Sequence, residues 1–489
     1  MKRNHFLFTM LCLLLAVRGL AQNYHAINGS VYAGSLAAAA NPASIVFVPY
    51  SWDITPLALQ FKQSTNAYAV NGFSLLSPSG EATVENTYGI KKRFVFANQD
   101  LRLLNTRIKL NDRSAIAFGF NVRSYMYGNS SQSNYQDTTV TLADYQRINL
   151  PYLPLSFEGA GAAWSELYAS YARTVVDDGY KIITAAVTFK YNRSVAGAYV
   201  VGNNINYIPD ADTANDNGFL LTAGSLQYGY SANLDQVNSA NSLSQNRRAL
   251  FQNNTASLGA DVGLEFVLSS ADEVDDDNYY AYKTKIGLAV MDIGGYRYSH
   301  SSRSRVGSSV KLGINDTILE NKFRPVRNMD DFNDSLATIA TNLVALPGDF
   351  VVYSPTRLVL NIDQRLQDNI FINAELTLPL IRLAKNSLFI KDINLLAITP
   401  RWENRTFGAY LPLLVNMRKQ VWVGGAFKAG PLLLGIHNLA NILGKNSMQN
   451  GGMYLALTIR PGKKQDGQNS NNSDPEKRKQ LKRLQCTSF

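Results

Sequence analysis

Ser114-Ala115-Ile116-Ala117-Phe118-Gly119-Phe120-Asn121-Val122-Arg123-Ser124-Tyr125-Met126 decides the fold. Ile116, Phe118, Phe120, Val122 and Met126 fall on one face of an extended chain, and Ala115, Ala117, Gly119, Asn121 and Arg123 on the other. A period of two belongs to a β-strand whose faces meet different surroundings. Lys181–Asn192 repeats it, with Ile183, Ala185, Val187, Phe189 and Tyr191 opposing Thr184, Ala186, Thr188, Lys190 and Asn192. In Asp261–Leu268, Val262, Leu264, Phe266 and Leu268 oppose Asp261, Gly263 and Glu265; in Ile370–Leu378 the even-numbered residues oppose Phe371, Asn373, Glu375 and Thr377. Further copies lie at Leu358–Arg365, Val421–Lys428 and Met453–Arg460. Several reach the roughly 9 to 11 residues with which a tilted strand crosses a bilayer, against about 5 to 6 in a soluble sheet.

Asn111-Asp112-Arg113, Asp177-Asp178-Gly179 and Gln367-Asp368-Asn369 each separate two such runs by a few turn formers, as adjacent antiparallel strands require. The expected fold is therefore all-β: a transmembrane antiparallel β-barrel, an up-and-down meander of about 14 strands, with an uncertainty of about two. Tyr125, Tyr127, Tyr199, Tyr207, Tyr279, Tyr280, Trp402, Trp422 and Tyr454 cluster towards strand ends. Their amphipathic rings are expected in the headgroup layer. A secreted β-sandwich is the rival fold, but it explains neither the strand length nor the low charge.

Composition agrees. Only 17% of the 489 residues are charged, well below the roughly 25% of soluble domains. Beyond the first two dozen residues no apolar run approaches the roughly 18 of a spanning helix. Lys2 and Arg3, the apolar Phe6–Val17 and the small residues of Gly19-Leu20-Ala21 read as a signal peptide cleaved after Ala21. Its removal lowers the formal charge from +10 to +7 and takes Cys12, leaving Cys486 as the single thiol.

The expected organisation is a signal peptide (1–21), an N-terminal plug segment (22–50), an outer-membrane β-barrel (51–462) and a basic, disordered periplasmic tail (463–489). Gln22–Ser44 is rich in small residues and contains Pro42, unsuited to a lipid-facing strand. Phe332–Leu343 has the apolar spacing of a short helix or folded loop. The tail's Lys477, Arg478, Lys479, Lys482 and Arg483 offer charge to an envelope partner, with a solvated terminus as the plain alternative. Nucleic acid is not an expected partner, because the chain is exported and no aromatics interleave these charges.

Little points to catalysis. His25, His300 and His437 are far apart in sequence, so no metal and no cofactor is expected. Gly159-Ala160-Gly161 resembles half of a dinucleotide fingerprint but is placed in a hairpin loop. No serine elbow is present, and the chain is not expected to be an enzyme. Asp210, Asp212 and Asp216, and Asp272, Glu273, Asp275, Asp276 and Asp277, have carboxylates for calcium, although solvated turns explain them better. Asp-Thr/Ser-apolar triplets begin at Asp137, Asp212, Asp316 and Asp334 and resemble an O-glycosylation sequon, which ordinary turns explain nearly as well. The charged inward positions lead further: Arg123, Lys190, Glu265, Asp363, Arg365, Glu375 and Lys428 alternate with apolar neighbours, and a charge at membrane depth must face a polar interior. They are candidate lumen-lining residues, with mutual salt bridging as the structural alternative.

Asn41-Pro42-Ala43, preceded by small residues and followed by alternating strands, resembles the start of outer-membrane barrels of the long-chain fatty-acid transporter superfamily. That resemblance implies a 14-stranded barrel with an N-terminal plug carrying Asn41, Pro42 and Ala43. The chain is also similar to a Bacteroidota outer-membrane barrel family of unknown function, through Asn71-Gly72-Phe73-Ser74, Trp164-Ser165-Glu166 with Tyr168 and Tyr171, Lys285-Ile286-Gly287-Leu288 leading to Asp292-Ile293-Gly294-Gly295, and Gly430-Pro431 before Gly435. Some members of that family carry a peptidoglycan-binding domain where this chain has its basic tail. The expected function is a plugged channel or transporter for small, hydrophobic molecules; the alternative is a structural or secretion-accessory barrel scaffolding other envelope proteins. The expected location is the outer membrane, with its lipid, lipopolysaccharide and barrel-assembly machinery as partners.

Overall fold

The computed structural model describes residues 26–72, 74, 82–178, 180–210, 218–238, 240–252, 254–269, 282–380, 388–440 and 447–461. The expected signal peptide, the basic tail with Cys486, Tyr279, Tyr280 and the acidic run 272–277 lie outside the described residues. So do Asp212 and Asp216.

Fourteen antiparallel strands close into a barrel. They are β1 (Trp52–Thr65), β2 (Lys91–Asn111), β3 (Ser114–Ser133), β4 (Leu155–Asp177), β5 (Lys181–Pro209), β6 (Ala256–Ser269) and β7 (Tyr282–Ser299). The second half comprises β8 (Arg357–Gln367), β9 (Ile370–Pro379), β10 (Leu395–Glu403), β11 (Phe407–Tyr410 and Leu413–Asn416), β12 (Val421–Val423 and Gly425–Ala429), β13 (Leu432–Ile436) and β14 (Asn450–Ile459). Each pairs with its neighbour, and β14 returns to β1 with Leu59 opposite Leu455. Closure leaves no free edge. The three turns expected from sequence join β2 to β3, β4 to β5 and β8 to β9. Both ends of the described barrel, Trp52 and Ile459, lie at this short-turn end.

The outward face carries Leu104, Ile108, Phe118, Leu167, Phe189, Leu264, Leu288, Ile362, Ile398, Phe427 and Leu457, all exposed, as a membrane-spanning wall requires. Several strands run far past the length of one crossing, β5 for 29 residues. At the loop end they carry a cap built from strand Phe219–Tyr230 beside β5, short strands at Arg305–Gly307, Leu343–Ala345 and Asp349–Tyr353, and four helices among the described residues. These are α1 (Leu142–Asn149), α2 (Leu243–Phe251), α3 (Asp316–Phe323) and α4 (Met329–Ile339). Helix α4 occupies the region whose spacing read as helix or folded loop; Asn328 caps it by accepting from the Asp330 and Asp331 N–H groups.

Two expectations are corrected. Tyr125, Tyr127, Tyr199, Tyr207, Trp422 and Tyr454 are buried, so these rings do not form a headgroup girdle; Trp402 alone of the described set is exposed. Their parity explains it, since Tyr125 and Tyr127 share a face with Arg123. Gly159-Ala160-Gly161 lies within β4 and not in a loop, paired with Gly128, Tyr127 and Met126 of β3.

Candidate functional site

Residues 26–50 lie against the inward-facing side chains. Pro42 opens a 3-10 turn, Pro42–Ile45, capped by Asn41, whose Oδ1 accepts from the Ala43 N–H at 2.9 Å. The Asn41 Nδ2 donates to the Leu264 carbonyl of β6 at 2.9 Å. The wall makes room for this side chain: a Cβ on Gly263 would overlap Asn41 and Pro42, and one on Gly287 would sit 2.8 Å from the Asn41 Nδ2. Elsewhere the segment packs Ala38, Ile45 and Val46 with Ala115, Ala117 and Ala172, Val31 and Phe47 with Tyr282 and Phe371, and Leu36 with Tyr410, Leu433 and Tyr454. Its polar groups are matched as well. Asn28 donates to Glu375 at 2.7 Å, Ser30 to Glu403 at 2.8 Å, the Ser35 N–H to Asp53 at 2.6 Å and Ser44 to Glu265 at 2.6 Å.

Beside Ser30 and Tyr32 of this segment, towards the short turns, Arg401 bridges Asp363 through two nitrogens and Glu403 through Nε at 2.7 Å. Tyr282 donates to Asp363 and Tyr410 to Glu403. Lys428 donates to the Asn404 carbonyl at 2.8 Å and sits 4.5 Å from the Tyr32 ring centre. Arg365 is at the rim, 3.3 Å from Asp368 in the turn.

Midway along the wall, Asp292 is a hub. Arg123 grips both its carboxylate oxygens at 2.6 and 3.0 Å, Lys190 approaches Oδ1 at 2.6 Å and Arg357 approaches Oδ2 at 2.6 Å. Asp261 accepts from Lys190 at 2.8 Å and from the Asp292 N–H at 2.6 Å. Glu166 and Asp100 meet Arg123 at 3.4 and 3.1 Å, and Asp100 also meets Arg102 at 3.6 Å. Four cations thus face four carboxylates, all buried. The geometry depends on a bulge: the β6–β7 register shifts between Val290 and Ile293, Asp292 has φ of 58°, and its carbonyl accepts from Ser354 at 2.6 Å and Thr356 at 2.8 Å. A small void remains between Ala38 and Ala39 of the segment and Arg102, Asn121, Lys190 and Asp261 of the wall.

Above the hub, towards the loops, the interior becomes aromatic. Arg123 lies 5.2 Å from both the Tyr125 and Trp164 ring centres, and Trp164 stacks on Tyr296 at 4.1 Å. Tyr298 stacks on Phe350 at 5.4 Å, and Ile390 and Ile393 complete the cluster. The segment carrying these isoleucines is tied down by Lys391, paired with Glu158.

The structure thus brings Arg123 and Lys190 into one network, sets Asp363 in a second, and seats Glu265 and Glu375 against the N-terminal segment. Asp100, Glu166, Asp261, Asp292, Arg357, Arg401 and Glu403 belong to the same networks and were not named as lumen-lining candidates from sequence. The signal for Asp292 was there: Asp292-Ile293-Gly294-Gly295 interrupts an alternating run with turn formers, as a bulge does. Among the described residues no group of three or more His, Cys, Asp or Glu is arranged to hold a metal ion.

Residues 42–436 match a family of unknown function, DUF5723, and the chain belongs to that family. No curated protein matches it. Among solved structures it is similar to the toluene transporter TbuX of Ralstonia pickettii, with 10% identity over 91% of this chain and 99% of that one and a TM-score of 0.36. A FadL homologue of Pseudomonas aeruginosa matches with 10% identity over 90% and 98% and a TM-score of 0.37. The toluene transporter TodX of P. putida matches with 10% over 87% and 93% and a TM-score of 0.35.

Proposed function

We propose that this member of DUF5723 is an outer-membrane channel for small hydrophobic molecules, held closed by its own N-terminal segment. The observation that carries the reading is how the lumen is filled. Side chains of the wall fill a barrel of about eight strands, whereas fourteen leave a space that needs something more. Here the filling is residues 26–50, a stretch outside the strands that is seated on the wall by side-chain hydrogen bonds and apolar contacts, so that it can be displaced without breaking a strand pairing. The aromatic layer around Trp164, Tyr296 and Tyr298 supports an apolar cargo, because flat rings without charge bind such molecules through buried area. Both barrel ends at the short-turn side support a periplasmic placement of the termini.

The mutual pairing of the hub charges favours a second reading, a structural or secretion-accessory barrel whose interior is permanently filled. One experiment separates them. Deleting Tyr24–Ala40 while keeping Asn41-Pro42-Ala43 should raise leakage of small solutes in a liposome-swelling assay, and reversing the charge of Lys190 or Glu375 in that background should change which solutes pass. A deletion variant that folds and stays sealed to every solute favours the scaffold.

A further inference from the structure

Helix α2 is short, but its exposed face is unusual for a loop helix. Ser242 and Gln245 form a reciprocal capping box at its start. Its inner side is fixed: Leu250 packs against Ala163, Val195, Ala196, Tyr230 and Leu234, and Asn233 donates to the Leu250 and Val195 carbonyls at 2.9 and 2.6 Å. Its outer side presents Leu243, Arg247 and Phe251, spaced four apart and therefore stacked along one stripe, with Arg248 beside them. Leu243 is 88% exposed and Phe251 47%. Neither ring nor branched chain has an apolar partner of its own within the cap's clusters.

The position of the helix says what covers that stripe. Five residues after Phe251 the chain enters β6, where Leu258 stands 77% exposed opposite Tyr191, itself exposed beside Phe189 on the outward face. The Phe251 end of the stripe thus lies at the loop-side margin of the wall's apolar surface. At the same level Arg193 projects outward opposite Ala256, with one nitrogen donating to the Asn254 carbonyl at 3.2 Å. Among the described residues no carboxylate pairs with Arg193, Arg247 or Arg248; the nearby Asp235 is already held by Tyr230, Ser301 and Arg303. Exposed apolar groups at the margin of a lipid-facing wall, bordered by unneutralised guanidinium groups, make the chemistry of a membrane interface and not of a water-filled loop.

We propose that α2 and Arg193 form a docking site for a phosphorylated glycolipid of the outer leaflet, with Leu243, Phe251 and Leu258 against its acyl chains and Arg193, Arg247 and Arg248 on its phosphates. The planar guanidinium suits a phosphate better than an ammonium would. This assignment rests on the outer-membrane reading above, because only there does the loop end of the barrel meet such a lipid.

The test uses the full chain, purified in detergent and titrated by native mass spectrometry with lipid A, with dephosphorylated lipid A and with phosphatidylglycerol. Lipid A should bind more tightly than either comparison lipid. The triple variant R193Q/R247Q/R248Q should weaken its binding by about ten-fold or more, and R324Q, an exposed cap cation at the end of α3 paired with Glu320, should leave it unchanged. Equal binding of dephosphorylated lipid, equal binding of phosphatidylglycerol, or unchanged binding by the triple variant overturns the proposal. Heat-modifiable mobility verifies that each variant retains its barrel. Cell fractionation is scored separately: wild type in the outer membrane but indifferent to lipid A sinks this site alone, whereas wild type outside that membrane sinks the reading beneath it.

Discussion

Gly263 and Asn41 are complementary: the wall lacks a side chain where the Asn41 amide oxygen presses into it, and a Cβ placed there would overlap both Asn41 and Pro42. Nothing about strand formation calls for glycine in the middle of β6, where it weakens the strand. Its presence is explained by the close approach of the N-terminal segment.

Gly263→Leu should therefore dislodge residues 41–45 while leaving the barrel closed. The expected cost is about 1–3 kcal/mol from overpacking. Limited proteolysis should cut the N-terminal segment faster than in wild type, with the heat-modifiable band retained. An unchanged cleavage rate would show that the segment is not seated against β6.

Asp292→Asn should be among the most damaging single changes in the wall. It removes the one carboxylate touched by Arg123, Lys190 and Arg357 together, leaving buried cations under-compensated at a cost of about 3–5 kcal/mol. A denaturant midpoint measured in detergent should fall accordingly. A loss below about 1 kcal/mol would mean that Asp261, Glu166 and Asp100 suffice without it.

Acid should loosen the cap. The exposed Asp330 carboxyl is held below its ordinary range by hydrogen bonds from Arg303, which binds it at 2.5 and 2.7 Å. A depressed folded-state pKa means that the contribution is fully present above the unfolded carboxyl value of about 3.9 and is lost as pH falls through the folded one. Hydrogen exchange should show α4 losing protection below that range in wild type, and an Asp330→Asn variant should lack this step. Identical acid profiles would remove Asp330 as the cause.

The barrel should fractionate with the outer membrane and migrate differently when boiled, because a closed sheet satisfies its backbone groups internally and resists mild detergent. Tags at Gln22 and Phe489 should resist protease added to intact cells. Recovery in the soluble periplasmic fraction would defeat the membrane reading.

The alternation in Ser114–Met126 was legible because lipid and lumen differ so sharply: Phe118 is exposed while Ala115, Ala117, Asn121 and Arg123 are buried on the other face. The same parity carried Tyr125 and Tyr127 inward, but aromatic identity argued for the interface, and identity was the weaker guide in a lumen that turns apolar above its charges. The partners of each charge were not legible. Arg123 meets Asp292 across 169 positions of sequence, and such a pairing follows from barrel curvature and a bulge, neither of which a local pattern encodes. The full length of β5 was also missed, since alternation lapses where the strand leaves the bilayer and one face no longer meets lipid.

That overrun of β5 has a mechanical consequence. At about 3.3 Å per residue, and tilted by roughly 40°, its 29 residues rise some 70 Å along the barrel axis, more than twice the roughly 30 Å of a hydrocarbon core. The cap is therefore the stiff continuation of the staves below it and is not tethered by slack loops. A pull or push on the exposed crown would be transmitted along hydrogen-bonded strands into the wall, at the depth where Lys190 holds Asp292.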